Sequence, residues 1–159
     1  MALLVVRHAP AGRRASYDGD DRLRPLSARG RARANDLVPV LVPFRPKRIL
    51  SSPFVRCFQT VRPLAEDLDL PVESIDELAE DNGPAAVSLL RRMAGESAVL
   101  CTHGDVATEM LEFLVPGGSK ATRSSLKLQK GEVWVLGSTG STLTIVERIS
   151  RSAVGGRSS

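Results

Sequence analysis

Leu3-Leu4-Val5-Val6-Arg7-His8 opens the chain with an apolar run that ends directly in an arginine and a histidine. A continuous apolar run this short reads as a strand buried on both faces, as in a parallel sheet covered by helices. Ala98-Val99-Leu100-Cys101-Thr102-His103-Gly104 repeats the arrangement much later in the chain. The two histidines are the only ones present. Each stands where a buried strand would meet a loop. In open α/β sheets the carboxyl ends of the strands are where ligands bind. Histidine can serve there as nucleophile, base or cation near neutral pH. Two histidines so placed are read as members of one site.

Outward from these runs, strand and helix patterns alternate. A polar loop from Arg7 to about Pro25 follows the first strand. Ser27 reads as the N-cap of a helix through Leu37, with Pro39 and Pro43 making its far end irregular. Lys47 to Leu50 is a second strand. Ser51-Ser52-Pro53 turns into a helix over Phe54 to Leu68, where Pro63 predicts a kink or an early stop. Val72 to Ile75 is a third strand and Asp76 to Gly83 an acidic loop. Pro84 suits the first turn of a helix ending near Met93. Ala98 to Cys101 is the fourth strand, and a helix from Gly104 to about Phe113 is broken by Pro116, Gly117 and Gly118. Glu132 to Leu136 and Leu143 to Ile149 alternate as a closing hairpin, with Gly137 to Gly140 as its turn. The pattern predicts a three-layer α/β/α fold with a mostly parallel central sheet and a C-terminal antiparallel hairpin. One domain is expected over residues 1–150, and a flexible tail over 151–159.

Composition narrows the class. The chain has 159 residues and a formal net charge of +4. With one Trp, one Tyr and four Phe, its core must be aliphatic. No apolar run is long enough to span a bilayer, and no signal peptide is recognisable. Cys57 and Cys101 lack metal-ligand spacing. A reduced cytoplasmic location is the expectation, with no membrane partner and no metal or other cofactor. Arg13, Arg14, Arg22, Arg24, Arg29, Arg31 and Arg33 crowd one stretch. Most are read as a solvated surface; the functional alternative is a positive rim that attracts anions. A nucleic-acid polymer is not expected as a partner. Aromatic interleaving is absent, and Asp18, Asp20 and Asp21, read as a solvated loop, interrupt the basic run.

Arg7, His8, Arg56 and His103 all leave the carboxyl ends of predicted strands and could converge. Two arginines and two histidines would make an electropositive pocket, and arginine grips a phosphate or carboxylate with paired hydrogen bonds.

The chain resembles the histidine phosphatase superfamily, the phosphoglycerate-mutase-like proteins, and in length its small SixA-type phosphohistidine phosphatases. The matching pieces are Val6-Arg7-His8-Ala9, Pro25-Leu26-Ser27-Ala28-Arg29-Gly30, Ser51-Ser52-Pro53-Phe54-Val55-Arg56-Cys57-Phe58-Gln59-Thr60, Leu78-Ala79-Glu80 and Thr102-His103-Gly104. One departure is visible: the family usually has Arg-His-Gly, whereas Ala9 follows His8 here. The resemblance implies a metal-independent phosphatase. His8 would be the nucleophile, forming a phosphohistidine that water hydrolyses. Arg7, Arg56 and His103 would hold the phosphoryl oxygens. Glu80 is the candidate general acid and Asp81 the fallback, although SixA-type proteins often lack this acid. The expected substrate is a phosphohistidine protein or a small phosphate ester or nucleotide. A mutase is disfavoured, since the chain has little room for a lid insertion. The alternative outside catalysis is a phosphate- or phosphoprotein-binding module. Some related small domains are fused to Nudix domains, but no Nudix helix is present here.

The remaining residues have bland readings. Ser27 is a helix cap, Cys57 and Cys101 are small core residues, and Trp134 packs in the hairpin. Ser51 and Thr102 either orient phosphate or satisfy backbone groups at strand ends.

Overall fold

The computed structural model describes residues 2–150; the expected tail over 151–159 lies outside the described residues. Six strands form one sheet: β1 (Leu3–Arg7), β2 (Arg48–Ser51), β3 (Val72–Ser74), β4 (Ala98–Thr102), β5 (Val133–Thr139) and β6 (Thr142–Ile149). Their spatial order is β3-β2-β4-β1-β5-β6. The first four are parallel, while β5 runs antiparallel to β1, and β6 to β5.

Alternate residues of a strand point to opposite faces, and here both faces are apolar. Leu3, Val5, Leu50 and Leu100 join one core with α3 (Gly83–Met93) and α4 (Gly104–Leu114). Leu4, Val6, Ile49, Val99 and Cys101 join a second core with α1 (Ala28–Leu41) and α2 (Val55–Leu68). The continuous apolar runs therefore lie between helices on both sides, giving the three layers. Among the described residues, no helix is long and apolar enough to cross a membrane.

Several boundaries differ from expectation. The irregular far end expected of α1 is present: the helix carries Pro39 inside it, runs to Leu41 rather than Leu37, and closes in a 3-10 turn over Val42–Phe44. Pro39 and Asn35 are both exposed, so the carbonyl that loses its donor lies on the solvent side of the helix. Pro63 likewise sits inside α2 without stopping it. A short helix α5 (Lys120–Leu126) follows the Pro-Gly-Gly break and had no counterpart in the pattern. Ser119 caps it by accepting from Thr122 N–H at 3.1 Å, and Trp134 Nε1 donates to the Leu126 carbonyl at 2.7 Å. Trp134 thus anchors α5 as well as packing under the hairpin. The hairpin turn is Gly140-Ser141 rather than 137–140, so both strands are longer than read. Gly140 supplies the left-handed backbone angle (φ 63°) that such a tight turn uses. The polar loop after β1 contains 3-10 turns at Arg14–Ser16 and Asp21–Leu23, and the acidic loop contains one at Asp76–Leu78.

The register fixes what gathers at the sheet edge. Arg7 lies opposite Thr102, and Ser51 opposite Cys101. His8 N–H donates to the Thr102 carbonyl at 3.0 Å. The chain segments carrying His8, Ser52 and His103 therefore emerge side by side.

Candidate active site

His8 leaves β1 with its backbone still tied to β4. Its ring Nδ1 lies 2.8 Å from the Ala9 carbonyl. A carbonyl only accepts, so Nδ1 carries the proton and Nε2 is left with a lone pair. Burial lowers the His8 pKa to about 3; the bond to Ala9 opposes the shift, while His103, Arg56 and Arg7 add to it. A ring with that pKa is neutral and nucleophilic at physiological pH. The Ala9 backbone is itself held: its N–H donates to Thr60 Oγ1 at 3.0 Å, and Thr60 donates to the Arg56 carbonyl at 2.7 Å. The Ala9 methyl is buried with Leu26 and Ala34, so the departure from glycine is filled by packing.

Arg56 is the second residue of α2 and is buried. Its Nη1 donates to the Asp21 carbonyl at 2.8 Å, and its Nη2 meets Asp21 Oδ2 at 3.1 Å and Glu80 Oε1 at 3.3 Å. Its guanidinium lies over the Phe54 ring, 4.9 Å from the centroid. Asp21 also pairs with Arg24 at 2.8 Å. The reading of Asp21 as a solvated loop residue is therefore corrected: it organises two arginines. Arg24 departs from the solvated-surface reading too, being buried and bonded to the Gly12 carbonyl.

Glu80 reaches this cluster. Arg14 Nη2 holds its carboxylate at 2.9 Å, so that Glu80 is shared between Arg14 and Arg56. Thr102 Oγ1 donates to the Leu78 carbonyl at 2.6 Å and so ties the segment bearing Glu80 to β4. That contact settles Thr102 as a backbone partner. Ser51 has the same kind of role, donating to the Ser52 carbonyl at 2.8 Å. Asp81 also borders the cavity, and its N–H donates to Asp105 Oδ2 at 2.8 Å.

His103 precedes α4, and its ring centroid is 5.6 Å from that of His8. Ser52 Oγ lies 2.8 Å from His103 Nε2 and also accepts from Phe54 N–H at 3.2 Å. Cys57 Sγ approaches the same nitrogen at 3.6 Å. His103 Nδ1 is buried with no hydrogen-bond partner. Burial pushes the neighbouring Cys101 thiol above its usual range, consistent with an inert core residue.

Arg7 completes the quartet. Its Nη1 donates to the Leu128 carbonyl at 3.0 Å. Its guanidinium packs so closely on Gly104 that a Cβ there would fall 2.7 Å from Arg7 Cζ. Glycine after His103 thus leaves the Arg7 guanidinium in its place. All four predicted residues, with Glu80, line one cavity of about 690 Å³, within the size range of small-molecule sites. Ser52, Asp21 and Arg14 belong to the site as well. None stood out in the sequence, because Ser52 looked like turn punctuation, and Arg14 and Asp21 were lost among similar charges.

The profile of the histidine phosphatase superfamily (branch 1) matches residues 3–87, slightly more than half of the chain. The chain belongs to the histidine phosphatase superfamily. A curated relative, the 8-oxo-(d)GTP phosphatase of Mycolicibacterium smegmatis, is 39% identical over 140 residues. The match takes in 84% of this chain but 43% of the relative, so the chain spans less than half of that protein's length. Among solved structures, the protein histidine phosphatase SixA complexed with tungstate superposes with a TM-score of 0.77 at 21% identity, covering 94% of this chain and 97% of the other. The alpha-ribazole phosphatase of Shigella flexneri gives 0.76 at 16% identity, with 98% of each chain covered. These likenesses carry the histidine phosphatase fold.

Proposed function

We propose that this histidine phosphatase is a metal-independent phosphatase that works through a phosphohistidine at His8. The observation carrying the proposal is the neutral His8 ring, its Nδ1 committed to the Ala9 carbonyl and its Nε2 set among Arg7, Arg56 and His103. Nε2 attacks phosphorus as the bond to the leaving oxygen breaks. Water then cleaves the N–P bond and releases phosphate. Arg7 and Arg56 neutralise the charge on the phosphoryl oxygens, the part a metal ion plays elsewhere.

Ser52 gives His103 its role. The Ser52 oxygen already accepts from Phe54, so its single proton is available for His103 Nε2. With Nε2 accepting from Ser52, the ring carries its proton on Nδ1, the buried nitrogen without a partner. A phosphoryl oxygen in the cavity supplies the missing acceptor.

Glu80 decides between the substrate classes. Its place beside Arg56 supports its assignment as general acid over Asp81, and an acid there favours a small phosphate ester or a nucleotide. The nucleotide phosphatase among the relatives fits the same reading. The second reading, a phosphohistidine protein as substrate, draws on the clamp that Arg14 and Arg56 place on Glu80. A carboxylate so held delivers a proton only after incoming phosphate has taken one of its arginines.

Hydrolysis of p-nitrophenyl phosphate, sugar phosphates, nucleotides and a phosphohistidine protein, with EDTA present, tests this. The proposal expects turnover of esters or nucleotides that Glu80→Gln lowers by about 100-fold or more. Turnover of phosphohistidine alone, indifferent to Glu80, would favour the second reading. Phosphate binding without turnover of any compound would contradict both and leave a binding module.

A further inference from the structure

Two arginines and two carboxylates, drawn from three segments of the chain, close a ring beside the cavity. Arg14 Nη2 meets Glu80 Oε2 at 2.9 Å and Asp21 Oδ2 at 3.5 Å. Arg56 Nη2 meets the same two groups, Asp21 Oδ2 at 3.1 Å and Glu80 Oε1 at 3.3 Å. The two arginines are not alike. The Arg14 side chain is 65% exposed, whereas that of Arg56 is 1% exposed. A solvated guanidinium can exchange a partner for water, but a buried one left without an anion is strongly destabilised. The carboxylates differ as well. Glu80 lines the cavity together with Arg14, Arg24 and Arg56, and Asp21 does not. Asp21 is fastened in place: its Oδ1 accepts from Arg24 Nε at 2.8 Å, and Arg24 is buried and bonded to the Gly12 carbonyl. The Asp21 backbone carbonyl accepts from Arg56 Nη1 at 2.8 Å. Arg56 therefore has one fixed anion and one that, as general acid, must gain and lose a proton in every cycle.

We infer that Asp21 is a positioning residue of the reaction: it is the standing counter-ion of Arg56, and so frees Glu80 to carry a proton to the leaving oxygen. The inference rests on the phosphatase reading above, with Glu80 as the acid. While Asp21 keeps its charge, Arg56 stays paired when Glu80 is neutral. Without that charge Glu80 is the sole anion of the ring, and both arginines bind its charged form, which cannot donate. Asp21 thus acts through Glu80 without touching substrate, and its effect depends on the leaving group. A strongly basic phenolate needs the proton; a dinitrophenolate departs without one.

The test compares kcat/KM of the full chain for phenyl phosphate and for dinitrophenyl phosphate. Asp21→Asn keeps the size of the side chain and the backbone carbonyl that binds Arg56. It is expected to lower kcat/KM for phenyl phosphate by about tenfold, and that for the dinitrophenyl ester by no more than about twofold. Inhibition by inorganic phosphate, which reports on the placement of Arg56, should not weaken. In a Glu80→Gln background, where no acid is left to release, Asp21→Asn should change kcat/KM for phenyl phosphate by no more than about twofold. Equal losses on both esters, weaker phosphate inhibition, or a full tenfold loss on top of Glu80→Gln would mean that Asp21 only supports the structure of the site, and would overturn the inference. So would an Asp21→Asn enzyme as active as the wild type on phenyl phosphate. Turnover of phenyl phosphate indifferent to Glu80→Gln, or a wild type that hydrolyses neither ester, would instead contradict the reading of the site on which the inference rests and overturn it with that reading.

Discussion

At the scale of single residues, the site depends on which nitrogen holds a proton. In the proposed mechanism His8 can attack only while Nε2 is bare, and the Ala9 carbonyl secures that by binding Nδ1. With a pKa of about 3 in the folded protein, the His8 ring of the unliganded enzyme should stay neutral from pH 8 to pH 5. Its ring nitrogen NMR shifts should not titrate over that range; titration near 6.5 would refute the geometry. The same shift links to stability. The unfolded chain takes up a proton near the ordinary histidine pKa of about 6.5, whereas the folded chain resists until about 3. Stability present above pH 6.5 should be lost progressively as the pH falls toward 3, and His8→Gln should flatten that part of the Tm–pH curve. Ser52→Ala removes the group that sets the His103 tautomer but no direct phosphate donor. Its kcat should fall by about tenfold, less than the ~100-fold or more that follows loss of a direct donor, with KM little changed. Restoration of kcat by Ser52→Thr would separate positioning from simple packing.

At the scale of elements, the strand ends were legible and the loops were not. Leu3 to His8 and Ala98 to Gly104 announced themselves because a strand covered on both faces must be apolar at every position. Arg56 was legible beside the Ser-Ser-Pro turn. Asp21 and Arg14 were hidden because their partners, Arg56 and Glu80, come from remote segments, and no local pattern encodes such pairing. Helix α5 was hidden because it is two turns long and polar, and it owes its place to the Ser119 cap and to Trp134. The irregular far end expected of α1 is the 3-10 turn over Val42–Phe44, whereas α2 runs past Pro63 to Leu68 because tertiary packing outweighs the one hydrogen bond a proline removes. Gly104 at the start of α4 gives an element-scale prediction. Gly104→Ala should fold, since only the end of the Arg7 side chain must move. Displacing that guanidinium by an ångström or so should nonetheless cut kcat/KM by about 100-fold. Unchanged activity would mean that Arg7 does not touch the phosphate.

At the scale of the whole molecule, a sheet edge, three loops and a remote segment between α5 and β5 build one cationic cavity. The net charge of +4 is a weak summary of it; the concentration of positive side chains around His8 is what an anionic substrate would meet. Association should therefore slow as ionic strength rises through the range where the screening length drops below about 10 Å. A kcat/KM that is independent of salt would argue against steering by the rim. The core on each face of the sheet is continuous, so Leu100→Ala, in the middle of β4 and wholly buried, should lose about 2–5 kcal/mol of stability. Against these general properties, the proposed chemistry is local: one nitrogen of His8 would bond to phosphorus. Rapid quenching of the enzyme with a turned-over substrate, followed by peptide mass spectrometry under alkaline conditions that preserve phosphoramidates, tests it directly. Nucleophilic attack by His8 should leave an acid-labile phosphoryl group on His8 that is absent from His8→Ala. Burst-phase turnover with no phosphohistidine on His8, or a label that persists in the variant, would contradict it.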